Sequence, residues 1–327
     1  MKNISFASVK VIKIIIMEGL KRAFDITGED FQPLAPGIIF FVLFIIIELI
    51  YSKTHGKKDL YNWKDLRSSV AMGFGSVVLA PFVKLLLAGV TFEAVFYLFN
   101  TADANGVYHN IFGYESFGWG IHVWLACQLL DDLSYYWFHR LNHTVRIFWA
   151  AHIVHHSSDH YNYGTGIRNG WFTLLYKPFF YMWLPALGFN PKMVLICLGI
   201  EALWQFQLHT QYIKKLGFLE KFMNTYTMHQ AHHAQNLEYL DKNHGGYLNI
   251  FDKIFGSWIE LDDDIEVKYG VIHAPESNNP LIIVSHEYKD IWNDVKKAKN
   301  PLHAFMYVFG PPGWSPDKST LTVREMQ

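Results

Sequence analysis

The chain has 327 residues, of which 51% are hydrophobic, 17% aromatic and 17% charged, whereas soluble domains are typically about 25% charged. Its formal net charge of -1 excludes the strongly basic field that a nucleic-acid-binding protein carries. The two cysteines, Cys127 and Cys197, lie far apart in apolar runs, which excludes a disulfide framework and a CxxC metal clamp. The composition therefore indicates contact with membrane lipids.

Three apolar stretches in the first half of the chain predict membrane spans. Residues 1–36, basic and apolar without a cleavage site, are predicted to form an amphipathic segment at the membrane interface. A span is predicted over 37–51, and the lysine-rich loop after it belongs in the cytosol by the positive-inside rule. The stretch 69–99 predicts one kinked span or two half-helices, and the stretch 119–138 predicts a span that returns to the cytosolic face.

Two later apolar runs predict a helical hairpin. They cover 171–187 and 193–208, and the turn sequence Gly188-Phe189-Asn190-Pro191 separates them. Such a hairpin leaves and re-enters on one side, so the histidine-rich segments on either side of it both face the cytosol. We therefore expect an all-α, integral-membrane helical bundle over 37–260 with a cytosolic histidine-rich cap, followed by a cytosolic C-terminal tail over 261–327.

Eight histidines form three spaced groups, which we call the histidine boxes. They are HRLNH (His139, His143), HIVHH (His152, His155, His156) and HQAHH (His229, His232, His233). Histidines three or four residues apart share one face of a helix, so each box can present two or three nitrogens toward one point. Imidazole suits iron, zinc, copper or nickel, and no thiolate is in reach. The boxes predict a site for two metal ions, with iron preferred.

Polar residues in the apolar runs are candidates for supporting roles. Asp132 lies two helical turns before His139 and is predicted to hold the second nitrogen of an imidazole. Glu201, Gln205 and His209 form a polar stripe on the last apolar run. A carboxylate inside a span costs about 2.5–3.5 kcal/mol, so Glu201 is predicted to face the site. Asp132 and Glu201 are thus candidate catalytic residues, and His209 is a candidate ninth ligand or hydrogen-bonding residue.

The three boxes, in this order around a membrane hairpin, resemble the fatty acid hydroxylase and sterol desaturase superfamily over about residues 132–257. The runs DLSYYWFHRLNH, AAHIVHHSSDHYN and DKNHGGYLNIFDKIFGS are similar to its alkylglycerol monooxygenase branch. The resemblance implies a membrane enzyme in which the box histidines hold two irons per chain. It also implies that molecular oxygen is used to hydroxylate a lipid C–H bond, in this branch at the ether-linked carbon of an alkylglycerol. The implied electron donor is reduced tetrahydrobiopterin, with an electron-donor protein as the alternative.

Some residues depart from the pattern of that branch. Met228 stands where a further histidine is usual, and His244 stands where a tyrosine is usual. Gln230 and Phe251 also differ, as does the pair Ala234-Gln235. These departures leave the box histidines unchanged. They affect what the resemblance implies about the substrate pocket and the electron donor.

Several alternatives stay open at this stage. The same residues would serve a sterol or fatty-acyl desaturase or a carotenoid hydroxylase. In other classes, a histidine-rich metal transporter or metal-binding protein, or a haem protein, would also gather histidines in a membrane. Those classes place ligands near the middle of their spans, whereas these boxes fall at predicted span ends. The roles of His160 and His244, which lie close to boxes, stay undecided.

Overall fold

Helices make up most of the computed structural model, which describes residues 34–56, 58–83 and 90–327. The α-helices are α1 (Leu34–Thr54), α2 (Trp63–Val83), α3 (Val90–Phe99), α4 (Ile121–Thr144), α5 (Arg146–His156), α6 (Tyr163–Gly166), α7 (Thr173–Tyr176), α8 (Trp183–Leu187), α9 (Pro191–Gln207), α10 (Tyr226–His232), α11 (Ile250–Phe255), α12 (Pro280–Lys297), α13 (Pro301–Phe309) and α14 (Val323–Met326). Short 3-10 helices cover Lys58–Leu60, Lys177–Phe180, Gly217–Lys221 and Leu237–Tyr239. Two short strands, β1 (Thr101–Ala102) and β2 (Tyr108–His109), pair antiparallel with Thr101 opposite His109. The predicted helical class is confirmed.

Helix α1 carries the first predicted span. Among the described residues it is the one helix long and apolar enough to cross a membrane, over Gly37–Thr54, and 17% of that window is buried. Ile47 and Ile50 are each 59% exposed, so the helix presents aliphatic side chains outward along its length. The interfacial segment predicted over 1–36 lies almost entirely outside the described residues.

The other predicted spans coincide with helices to different degrees. α2 and α3 occupy the stretch 69–99, and the residues between them are not described. α4 covers the predicted third span and continues to Thr144, so its last turns carry the first histidine box.

The first arm of the predicted hairpin is not one helix, and that part of the prediction is wrong. Residues 171–187 form α7, a 3-10 turn and α8 in succession. Pro178 and Pro185 fall inside this run, and a proline lacks the N–H that a continuous helix needs. The turn and the second arm agree with the prediction. Gly188 ends α8 with φ 109°, and the Asn190 side chain caps α9 by accepting from the Lys192 N–H.

A buried apolar cluster fixes the helices below the histidines. It joins α3, α4, α8 and α9 through side chains that include Phe92, Phe138, Leu184 and Val194. This core sets the position of α4, and with it the direction of the first box.

The residues after 260 pack against the box-bearing helices. Arg146, at the start of α5, donates to Glu287 and Asp294 of α12, both at 2.8 Å. Val154 of α5 also packs against Ile283 and Val284 in a small buried cluster. The division of the chain at residue 260 stays a prediction, but α12 packs against α5, the helix that carries the second histidine box.

Candidate metal centre

The local structure explains why the first two boxes face each other. His139 and His143 lie four residues apart on the last turns of α4. Val145 then adopts an extended conformation with φ -121° and ψ 117°, which ends α4 and starts α5 in a new direction. α5 folds back against α4, and its last turn carries the second box.

The third box and His209 approach from the other half of the chain. α9 ends at Gln207, and His209 follows two residues later. His229 and His232 lie on the short helix α10, with His233 as its C-cap. The candidate ninth histidine therefore joins the boxes.

The nine predicted ligands divide into two groups. One, the five-histidine group, contains His139, His143, His152, His156 and His232; the other, the four-histidine group, contains His155, His209, His229 and His233. Within each group the candidate ligand atoms lie within 4.8 Å of one another. The sequence pattern predicted that a box can present two or three nitrogens toward one point, and each HxxHH box presents two. In each box the two histidines four residues apart join one group, and the middle histidine joins the other.

The ring nitrogens within each group are close enough to share one ion. In the five-histidine group, His152 Nε2 lies 3.1 Å from His139 Nε2 and 3.2 Å from His156 Nε2. In the four-histidine group, His209 Nε2 lies 3.1 Å from His229 Nε2 and 3.2 Å from the Nε2 atoms of His155 and His233. Nitrogens that each lie about 2.0–2.1 Å from a shared metal ion are separated by about this distance.

Backbone carbonyls set which nitrogen of these rings carries the proton. The Nδ1 atoms of His155 and His209 lie 3.0 Å and 2.9 Å from the carbonyl oxygens of Arg168 and Gln205, which only accept. Nδ1–H therefore donates, and each Nε2 presents a lone pair. Because their Nε2 atoms face each other at 3.2 Å, neither can donate to the other. The two lone pairs repel unless a cation lies between them, so this geometry fits a bound metal ion.

The same arrangement recurs in the five-histidine group. The Nδ1 atoms of His139 and His232 lie 3.1 Å and 2.8 Å from the carbonyl oxygens of His244 and Lys242. Outward Nδ1–H bonds of this kind are the usual way in which metal-binding imidazoles are oriented.

Burial favours the neutral form of His155, His156 and His233. It lowers the pKa of His155 to about 4, although the hydrogen bond to the Arg168 carbonyl acts in the opposite direction. Burial, followed by the neighbouring imidazoles, holds the pKa of His156 and His233 well below the ordinary histidine value. Neutral imidazole is the form that binds metal, so the groups are ready to bind at neutral pH. A set of nitrogen donors without thiolate or carboxylate fits iron, and equally zinc, copper or nickel.

The two predicted catalytic carboxylates do not touch the imidazoles. Asp132 accepts from the backbone N–H groups of Tyr247 at 2.6 Å and Leu248 at 3.2 Å, rather than from a histidine as predicted. The rise of the helix places it two turns below His139, and the 245–248 loop fills the space beside it. Glu201 is fully buried and accepts from the Tyr181 hydroxyl at 3.3 Å. Their catalytic roles stay predictions; the contacts of Asp132 hold the loop that follows His244, and Glu201 contacts Tyr181.

The two undecided histidines have different positions. His160 is half-buried and belongs to neither group. His244 is buried beside the five-histidine group, with its ring centroid 5.0 Å from that of His143. Its ring contacts the Asp241 backbone, and at least one of its nitrogens has no hydrogen-bond partner among the described residues.

Aromatic side chains cover both groups. The Trp149 ring lies 5.2 Å from that of His143, and the Tyr161 ring lies 5.2 Å from that of His233. Tyr269 stacks on Tyr161 at 4.8 Å with an interplanar angle of 10°. The sequence assigned no role at the site to Tyr161 or Tyr269, because an aromatic residue near a box is equally expected in a core. Nor could it identify the carbonyl partners of the imidazoles, since every residue type carries a carbonyl.

Comparison with known proteins agrees with this geometry. Residues 124–257, which contain all three boxes, match the family model described as fatty acid hydroxylase. The chain is 32% identical to human alkylglycerol monooxygenase over 288 residues, which cover 88% of this chain and 61% of that protein. It is 30% identical to the Xenopus tropicalis alkylglycerol monooxygenase, covering 88% and 60% of the two chains. The Danio rerio alkylglycerol monooxygenase is 29% identical, with 96% and 69% covered.

The chain thus spans about three fifths of the length of the human and Xenopus proteins. No solved structure gives a significant match. The match over the boxes and the similarity along most of the chain agree with the resemblance seen in its motifs. Residues 124–257 thus match a fatty acid hydroxylase domain, and most of the chain is similar to part of the alkylglycerol monooxygenases.

Proposed function

We propose that this protein is a membrane lipid monooxygenase that hydroxylates an alkyl C–H bond, at the ether-linked carbon of an alkylglycerol or a related lipid. The observation that carries the proposal is the pair of buried, all-histidine groups inside a fatty acid hydroxylase domain. The named relatives are alkylglycerol monooxygenases, which supports an ether lipid as the substrate class.

The cofactor proposed is iron, one ion in each group and two per chain. His155 and His232 are each the middle histidine of a box, and each joins the group that the other two histidines of its box do not. The second and third boxes therefore contribute histidines to both sites. When bound, the irons supply the reduction of molecular oxygen and the insertion of one oxygen atom into the substrate. Reduced tetrahydrobiopterin is the electron donor we propose, and an electron-donor protein is the alternative.

The residues of the chain itself orient and shield this chemistry. Backbone carbonyls hold the imidazoles in the tautomer that leaves Nε2 unprotonated, as shown for His155 and His209. Trp149 and Tyr161 exclude water from the two sides of the groups. Asp132 fixes the loop whose His244 carbonyl orients His139, so we assign it a positioning role one step removed from the site.

We further propose that the protein is an integral, multi-pass membrane protein with the boxes on the cytosolic face. α1 supports this with an exposed apolar surface, and so do Ile121 and Leu125 of α4, which are 74% and 65% exposed. Residues 37–260 would form the membrane domain, with 1–36 at the interface and 261–327 in the cytosol.

The test is lipid analysis in cells with and without the protein under isotopically labelled oxygen. The proposal expects a labelled oxygen atom in the product derived from an alkylglycerol, and no product from His155→Ala or His232→Ala. Loss of two hydrogens without gain of oxygen would instead identify a desaturase. Full turnover by either variant would contradict the assignment of the site.

A further inference from the structure

A cavity of about 530 Å³ opens beside the five-histidine group, and the proposed reaction does not use it. Its size falls in the range of about 300–1,000 Å³ that is typical of small-molecule sites. The wall includes Pro311, Pro312 and Leu240, which are apolar, and the positively charged residues Arg140, Lys242 and Arg324. The cavity therefore joins an apolar surface to a cluster of positive charge.

None of these three cations forms a close ion pair with a described residue. No carboxylate of the described residues lies within salt-bridge distance of Arg140, Lys242 or Arg324. Asp241 is the one acidic side chain on the wall, and its Oδ1 lies 3.7 Å from His143 Nδ1. The wall thus carries an excess of positive charge, which attracts an anion.

The inner end of the cavity has a buried polar side chain with an unpartnered nitrogen. His244 lines the cavity and is 1% exposed; its ring contacts the Asp241 backbone and leaves at least one nitrogen without a partner among the described residues. A buried imidazole nitrogen without a partner costs free energy unless a ligand or water satisfies it. Arg140 is fixed nearby, because its Nη1 donates to the Tyr136 hydroxyl and to the Phe255 carbonyl. Its remaining N–H groups are donors that a multidentate anion such as a phosphate would match.

The cavity also lies next to surface that is suited to a membrane interface. Trp137 packs against Phe255 with ring centroids 4.9 Å apart, and the Arg140 guanidinium lies 5.9 Å from the Trp137 ring centroid. Ile254 is 63% exposed beside them. Tryptophan, aliphatic and cationic side chains together are typical of the depth at which lipid head groups lie.

We propose that this cavity binds an organic phosphate, with Arg140, Lys242 and Arg324 holding the phosphate and the proline wall contacting the organic part. His244 supplies the innermost hydrogen bond. The phosphate belongs either to a lipid head group or to a soluble organic phosphate, since both offer the same chemistry. This site stands on its own geometry and does not depend on the bound metal.

The experiment measures the binding of phenyl phosphate and of inorganic phosphate to the full chain in phosphatidylcholine nanodiscs, by calorimetry. The proposal expects phenyl phosphate to bind more tightly, because inorganic phosphate cannot use the apolar wall. Arg324→Gln and Lys242→Gln should each weaken binding about tenfold, which is the size of one charge-assisted hydrogen bond. Arg67→Gln is the matched control, because Arg67 is exposed on α2 and outside the cavity.

Nanodiscs that contain phosphatidic acid then separate the two sources. If phosphatidic acid displaces phenyl phosphate, the ligand is a lipid head group; if phenyl phosphate binds unchanged, the ligand is a soluble organic phosphate. Absence of binding by the wild-type protein, or equal binding by the wild-type protein and both cavity variants, overturns the proposal. Iron content is measured on the same samples. Wild-type protein that binds phenyl phosphate but contains no iron would contradict the proposed function and leave the proposed phosphate site supported.

Discussion

Replacing Asp65 with asparagine should destabilise the protein by removing the partner of a buried arginine. Asp65 Oδ1 accepts from Arg168 Nη1 at 2.6 Å, and its Oδ2 accepts from the Ser158 hydroxyl at 2.8 Å. The Arg168 side chain is 4% exposed and that of Asp65 is 15% exposed. The substitution therefore leaves a positive charge in a nearly dry environment.

The magnitude follows from this burial. Breaking a buried ion pair by removing one partner costs about 3–5 kcal/mol, and the residual exposure of Asp65 favours the lower end. At roughly 2 °C per kcal/mol for a chain of this size, we expect Tm to fall by about 6 °C. Metal binding should weaken as well, because the carbonyl of Arg168 orients His155.

The assay is thermal unfolding of the purified protein in detergent, with iron content measured in parallel. Asp59→Asn is the matched control, since Asp59 is exposed just before α2 and no salt bridge to it is seen among the described residues. A Tm for Asp65→Asn within error of both the control and the wild-type protein would refute the reasoning that this pair holds the second box.

Three further predictions test the site. His209→Ala should remove about half of the bound iron, because His209 takes part in each of the short Nε2 contacts of its group. The control His160→Ala should keep all of the iron, since His160 belongs to neither group. Equal iron content in the two variants would count against the division into groups. Gly246→Ala should cost about 1–3 kcal/mol of unfolding free energy, because its new Cβ would lie 2.4 Å from Asp132 Oδ1, while Gly118→Ala, which meets nothing within 4 Å, should melt like the wild-type protein. Chelation of iron should lower Tm in the wild-type protein, since a ligand bound to the folded state stabilises it, and an unchanged Tm would argue against a structural contribution of the metal.

The sequence predicted which histidines lie together better than it predicted their arrangement. Histidines three and four residues apart identified the boxes, and the polar position of His209 on an apolar run pointed to a ninth ligand. The division of the second and third boxes between two groups depends on the angle at which α5 and α10 approach, and tertiary packing sets that angle. Residue spacing alone therefore allowed two or three histidines of a box to face one point and did not identify the one that joins the other group.

The supporting contacts were the least predictable part of the site. Asp132 has the spacing of a partner for His139, yet backbone N–H groups of Tyr247 and Leu248 occupy it. A carboxylate satisfies whichever donors the fold brings near, and a loop more than a hundred residues away is not visible in local spacing. The break in the first arm of the hairpin is indicated by Pro178 and Pro185, which interrupt the apolar run. The length of the run nevertheless favoured one continuous helix.

The most direct test of the account is anomalous X-ray diffraction at the iron absorption edge from crystals of the active protein. We expect two peaks, one among His139, His143, His152, His156 and His232, and the other among His155, His209, His229 and His233. A single peak, or an active enzyme without iron at either position, would contradict the central claim that the three boxes and His209 hold two irons.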